Sequence, residues 1–306
     1  MLLVGEMMAR TWGRKIMIML AVVSAAGLMF AVAACAPESE DDNRLGVVVT
    51  ILPQVEFVEN VGGDRVKVTV MVPPGASPHT YEPKPAQLKA LAEATLYAKV
   101  GSGVEFELVW MEKLLATSKE MVVMDCSKGV ELQEMVAEDE DEHHGAMDPH
   151  IWLSPANARI MVRNICDGLA EVDPDNRHYY EQNRDAYLQQ LAEIDREIRD
   201  GLAAVKNRRF MVYHPAFGYF AREYNLIMIP LEIEGKEPTA AGLTQLIEQA
   251  KAHDIRVIFA EPQFDPKSAE VVAEAIGGEV VLIDPLARDY TGNLRLILSQ
   301  MLPAME

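Results

Sequence analysis

Hydrophobic and polar positions along this chain fall into two alternating patterns. The β-branched run at 45–52 has the composition of a buried strand, and further strands are predicted at 66–72, 96–100 and 121–124. Stretches with helical spacing follow them, from Pro53 to the Gly62-Gly63 pair and at 86–94, 104–116 and 156–172. The second half keeps the same rhythm. Strands are predicted at 210–213, 226–231, 256–260 and 280–283, with helices at 243–252, from Asp265-Pro266 onward, and at 293–301. Strands that alternate with helices predict parallel sheets. Between the halves, Asp173-Pro174 is a strong helix start, and no glycine follows before Gly201. Tyr180, Tyr187, Leu188, Leu191, Ile194 and Ile198 keep helical spacing there. A helix of about 32 residues is about 48 Å long, more than one domain's diameter, and reads as a rigid strut. The expected fold is therefore α/β. Two lobes, 45–172 and 207–306, each hold a mostly parallel sheet flanked by helices, and one long rigid backbone helix at 173–206 joins them.

The N-terminus has a different character. Arg10, Arg14 and Lys15 precede an uncharged apolar run from Ile16 to Ala34, which ends in small residues before Cys35. This resembles a lipoprotein signal peptide over 1–34, with Cys35 as the lipidated first residue of the mature chain. A transmembrane anchor is the alternative reading. Residues 35–44 are polar and read as a tether that holds the body off the membrane. The expected location is extracytoplasmic and lipid-anchored, either periplasmic or at the cell surface.

Charge narrows the partners. The formal net charge of −19 disfavours nucleic acid, whose phosphates would be repelled, and raises the local concentration of cations. Beyond Cys35 only Cys126 and Cys166 remain. They form no metal-binding CxxC, and spacing leaves open whether they pair.

The densest chemistry lies at 138–150, where five consecutive carboxylates precede His143, His144 and, after Asp148-Pro149, His150. Carboxylate and imidazole together suit a borderline divalent cation. Read blandly, the run is a solvated acidic loop. His79, His150, His214 and Asp284 each fall next to a proline at a predicted strand end or loop, where α/β sheets bind ligands. They lie 64 to 71 residues apart, which excludes a zinc finger and suits a cleft fed by both lobes. Each has an ordinary alternative: a strand-end histidine is more often a hydrogen-bonded loop residue, and Asp284-Pro285 is also turn chemistry. His178 and His253 read as exposed polar positions.

Five motifs break this tie. They are Pro78-His79-Thr80-Tyr81-Glu82-Pro83, Asp148-Pro149-His150-Ile151-Trp152-Leu153-Ser154-Pro155, Tyr213-His214-Pro215-Ala216-Phe217, Glu261-Pro262-Gln263-Phe264 and Asp284-Pro285-Leu286. In this order the chain resembles the metal-specific substrate-binding lipoproteins of ABC transporters for zinc and manganese (cluster A-I). The resemblance implies two α/β lobes on one long helix, with His79, His150, His214 and Asp284 as metal ligands. A histidine rather than a glutamate in the third position implies Zn2+, with Mn2+ as the alternative. His143 and His144 are similar to a short form of the histidine-containing loop of zinc-specific members, a secondary site at most. The implied partners are a membrane permease and its ATPase, and the implied protein is a monomer and not an enzyme. The competing classes are an exported zinc hydrolase and a metal-sequestering adhesin.

Overall fold

The structure, a computed structural model, describes residues 44–118, 120–135, 147–232 and 235–305. The signal segment with Cys35, and the acidic run with His143 and His144, lie outside the described residues. The described residues form one compact unit.

Among the described residues, eight strands make two four-stranded sheets, and every pairing within the sheets is parallel. The first sheet holds β1 (Leu45–Val49), β2 (Val66–Val70), β3 (Leu96–Lys99) and β4 (Val122–Asp125) in the order β2-β1-β3-β4. The second holds β5 (Arg209–Val212), β6 (Ile227–Pro230), β7 (Val257–Ala260) and β8 (Glu279–Leu282) in the order β6-β5-β7-β8. The two orders are the same, so the lobes share a topology although no sequence repeat is visible. In each sheet the order reverses at one pair, β1/β3 and β5/β7. Ligands of open α/β sheets bind at the carboxyl ends of such pairs.

The helices of the first lobe are α1 (Pro53–Gly62), α2 (Pro85–Ala92), α3 (Glu105–Leu115) and α4 (Pro155–Val172). The start of α4 is written locally: Ser154 accepts a hydrogen bond from the Asn157 amide at 3.1 Å, and Pro155 occupies the first turn. The strut is α5 (Arg177–Ala203), and it begins later than the proline predicted. Pro174–Asn176 form a 3-10 turn instead, where the Asp173 carboxylate takes the Asn176 side chain and the Tyr180 hydroxyl. At 27 residues α5 is about 40 Å long. It buries Tyr180, Tyr187, Leu191, Ile194, Ile198 and Leu202, roughly 1.5–3 kcal/mol for each such side chain. The second lobe adds α6 (Gly218–Glu223), α7 (Ala240–Ala252), α8 (Lys267–Ile276) and α9 (Tyr290–Ala304).

One hydrophobic core runs from the first sheet through α1, α4 and α5 to α9 and one face of the second sheet. A smaller core under α7 and α8 covers the other face of that sheet, with Met211, Ile258, Leu246 and Val272 at its centre. The two lobes therefore share apolar packing along the strut. Cys126 and Cys166 are both buried and both free thiols.

Candidate metal centre

Three chain segments deliver three histidines to one point. His79 lies in the proline-rich loop after β2, His150 follows β4 beyond the acidic run, and His214 stands two residues past β5. His214 Nε2 is 3.2 Å from His79 Nε2 and 3.2 Å from His150 Nε2. Ligand atoms of all three lie within 4.8 Å of one another. Two nitrogens bound at 2.0–2.1 Å to a tetrahedral zinc stand about 3.3 Å apart, so the spacing is that of a divalent centre.

The other ring nitrogen of each histidine faces a carboxylate. His79 Nδ1 is 2.9 Å from Glu105 Oε2, His150 Nδ1 is 2.8 Å from Asp148 Oδ1, and His214 Nδ1 is 3.2 Å from Glu232 Oε1. A carboxylate at Nδ1 keeps the proton there and leaves Nε2 as a lone pair. Three lone pairs then converge, and two acceptors 3.2 Å apart repel unless a cation sits between them. The arrangement is built for a positive charge.

Local structure fixes each ring. Asp148 Oδ1 accepts both the His150 amide (2.9 Å) and its ring N–H, while Oδ2 accepts from Gln133 Nε2 at 3.1 Å. Ser102 donates to the Pro149 carbonyl, which ties the same turn to the β3 end. The His214 amide donates to Glu261 Oε2 at 3.1 Å, and Phe264 stacks on its ring at 4.8 Å. His150 and His214 are buried, while the His79 side chain keeps 23% exposure and forms the open side. Burial, together with the two neighbouring imidazoles, brings the His214 pKa down to about 4 against the opposing pull of Glu232. It is neutral at pH 7. Burial raises Glu105, but its interaction with His79, led by the hydrogen bond from Nδ1, outweighs it and holds that carboxyl below its usual range. Burial pushes Glu261 well above the usual range.

The cavity in front of the rings has a volume of about 20 Å³, room for roughly one water-sized sphere and not for an organic solute. Its other walls include Trp152, Gln263, Phe264 and Leu286.

Three of the four expected residues thus come together. Asp284 is outside the group of mutually close ligand atoms. Its Oδ1 accepts from Gln263 Nε2 at 2.8 Å and from the Leu286 amide at 2.9 Å. Glu105 and Glu232 were not singled out in the sequence. Both sit at element ends, at the start of α3 and two residues past β6, a position too common among 47 acidic residues to be a signal. His178 is exposed, as expected, and His253 is half-buried at the end of α7. The acidic run is outside the described residues, but its flanks pair with each other: Glu134 and Met147 form an antiparallel bridge, and the Asp148 amide donates to the Gln133 carbonyl at 2.8 Å.

Comparison with known proteins bears on the same features. Residues 47–302 match the family described as ZnuA, zinc-uptake complex component A, periplasmic. The high-affinity zinc uptake system protein ZnuA of Bacillus subtilis is 33% identical over 80% of this chain and 79% of its own length. The zinc-binding lipoprotein AdcA of Streptococcus pneumoniae is 29% identical over 89% of this chain, which spans only 55% of AdcA. A crystal structure of a ZnuA deletion mutant with zinc bound is 43% identical and superposes with a TM-score of 0.80, covering 86% of this chain and 98% of that one.

Proposed function

The chain belongs to the family of periplasmic A components of zinc-uptake complexes, and from that membership we propose that it captures Zn2+ between its lobes and delivers it to a membrane permease driven by an ATPase. The observation that carries the reading is the convergence of three Nε2 lone pairs, each backed by a carboxylate. Three neutral imidazoles suit zinc, because Mn2+ prefers more oxygen donors. His79, His150 and His214 are the primary ligands. Asp284 is the fourth candidate ligand, and its carboxylate is held by a hydrogen bond from Gln263 Nε2. The family's members are solute-binding components and not enzymes, which removes the exported hydrolase. Lipid on Cys35 tethers the protein outside the membrane, and the acidic run with His143 and His144 attracts cations to the cleft. Among the described residues no helix is long and apolar enough to cross a membrane.

Titrating Zn2+ into the metal-free protein tests the site. One ion per chain is expected, with affinity falling at least ~100-fold in His214→Ala, the cost of leaving its two partner nitrogens without a third. Unchanged affinity in that variant would overturn the assignment. Delivery is tested by zinc uptake in cells that carry the permease and ATPase, with and without this protein.

A further inference from the structure

We propose that Gln263 sets the ion preference of this site by controlling whether Asp284 can join the three imidazoles; this rests on reading the cleft as a zinc site. Gln263 forms part of the cavity wall beside His79, His150 and His214, whereas Asp284 does not. The Gln263 amide nitrogen donates to Asp284 Oδ1 at 2.8 Å, and this orientation is required, because an amide oxygen turned toward a carboxylate would be repelled. The backbone around Asp284 is pinned: Asn293 Nδ2 donates to its carbonyl at 2.7 Å, and Trp152 Nε1 donates to the Pro285 carbonyl at 2.8 Å. The carboxylate can therefore reach the ion only by side-chain rotation, and that rotation breaks the bond to Gln263. The loop that carries Gln263 is held in turn by Phe264, which stacks on His214, and by Glu261, which accepts the His214 amide.

A second observation points the same way. Gln263 Oε1 is buried and has no hydrogen-bond partner. A water on the fourth position of an ion held by three imidazoles supplies the missing donor. Both amide atoms are then satisfied, Nε2 on Asp284 and Oε1 on the water, and Asp284 stays outside the coordination sphere. Zinc is content with four ligands rich in nitrogen. Manganese needs more oxygen ligands and must draw on Asp284 at the expense of the Gln263 bond. A hydrogen bond to a charged group corresponds to roughly a tenfold effect or more on an equilibrium constant. Gln263 discriminates by that factor.

The test is competitive Zn2+ and Mn2+ titration of the wild type, Gln263→Leu, Asp284→Asn and the double variant. In Gln263→Leu the preference for zinc over manganese should fall about tenfold. The visible absorption of the Co2+-loaded protein should weaken as the carboxylate raises the coordination number. In the Asp284→Asn background the same Gln263 change should move the preference less than twofold. A preference within twofold of wild type in Gln263→Leu, or an equal fall with Asp284→Asn present, overturns the proposal. If Gln263→Leu does not fold, Gln263→Asn, shorter by one methylene, is read against the same outcomes. A wild type that takes up no zinc would instead overturn the zinc reading itself.

Discussion

Replacing Asp148 by asparagine removes a charge from behind His150 and leaves its shape. The carboxylate is 3% exposed and lies 2.8 Å from His150 Nδ1. Its three donors, the His150 amide, the His150 ring and Gln133 Nε2, are all fixed. The carboxamide of Asp148→Asn can still accept from the first two through its oxygen, and Gln133 can flip its own amide to accept from the new nitrogen. Geometry therefore survives and the charge does not. An ion on Nε2 would sit about 6–7 Å from the carboxylate, one imidazole and two bond lengths away. Coulomb's law at an effective dielectric of about 20 gives about 5 kcal/mol for a divalent ion at that distance, an upper bound because three donors already share the charge. Outer-sphere substitutions of this kind cost about 10–100-fold in metal affinity, about 1.4–2.7 kcal/mol. Asp148→Asn should therefore weaken zinc about 10–100-fold without lowering the thermal midpoint of the metal-free protein. Glu105→Gln should cost less, because the Glu105 side chain is 45% exposed and water screens it. Zinc competition with a chromophoric chelator at pH 7 reads both. An Asp148→Asn protein that binds zinc within twofold of wild type would refute the charge relay through the imidazole.

Three further outcomes follow from the same contacts. His214 has a pKa of about 4 in the folded chain and about 6.5 unfolded, so the unfolded chain takes the proton first as pH falls. Its contribution is complete above about pH 6.5, and up to about 3 kcal/mol of metal-free stability is lost between pH 6.5 and 4; urea unfolding of wild type and His214→Gln should show the gap closing, and parallel losses would count against it. Gly218→Ala would place a methyl 2.3 Å from Asp148 Oδ2 and 2.7 Å from Gln133 Nε2, so the carboxylate must move. We expect a cost of about 1–3 kcal/mol and weaker zinc binding, and wild-type affinity by calorimetry would contradict the close approach. Trp152→Phe strands the buried Pro285 carbonyl that Trp152 Nε1 now satisfies, and should cost about 1–3 kcal/mol, visible as a lower thermal midpoint.

Much of this molecule was legible before its structure. Seven of the eight described strands fall within two residues of their predicted runs, and β1 ends three residues before its run does; the central strands are covered on both faces, and composition alone marks such strands. The six-residue helix Gly218–Glu223 escaped because it is buried nearly all round and too short to show a period. The strut was correct in its apolar stripe and wrong in its first turn, where the Asp173 side chain bonds to Asn176 and Tyr180 instead of capping amides. Of the site, His79, His150 and His214 were readable from proline-flanked loops and their motifs. That Asp284 is held back by Gln263 was not, because the two stand 21 residues apart and only the fold shows which donor meets which acceptor.

The repeated topology explains why the site can be rigid and still be shared between lobes. At the β1/β3 reversal the buried Glu107 accepts the amides of Val100 and Gly101 and the Thr50 hydroxyl. At the β5/β7 reversal the buried Glu261 accepts the amide of His214. Each lobe thus fastens its strand ends with one buried acid, and burial pushes both acids upward. Across the lobes, Glu56 of α1 accepts the Tyr187 hydroxyl of α5 and the Tyr290 amide at the start of α9, while the Tyr290 hydroxyl donates to the Trp152 carbonyl. A wide hinge would have to break this network and open the core that α1, α5 and α9 share. Uptake should therefore proceed by a small movement of the exposed His79 loop. Small-angle scattering that gave radii of gyration differing by several ångströms between metal-free and zinc-loaded protein would refute this, since a shared core does not permit such an opening.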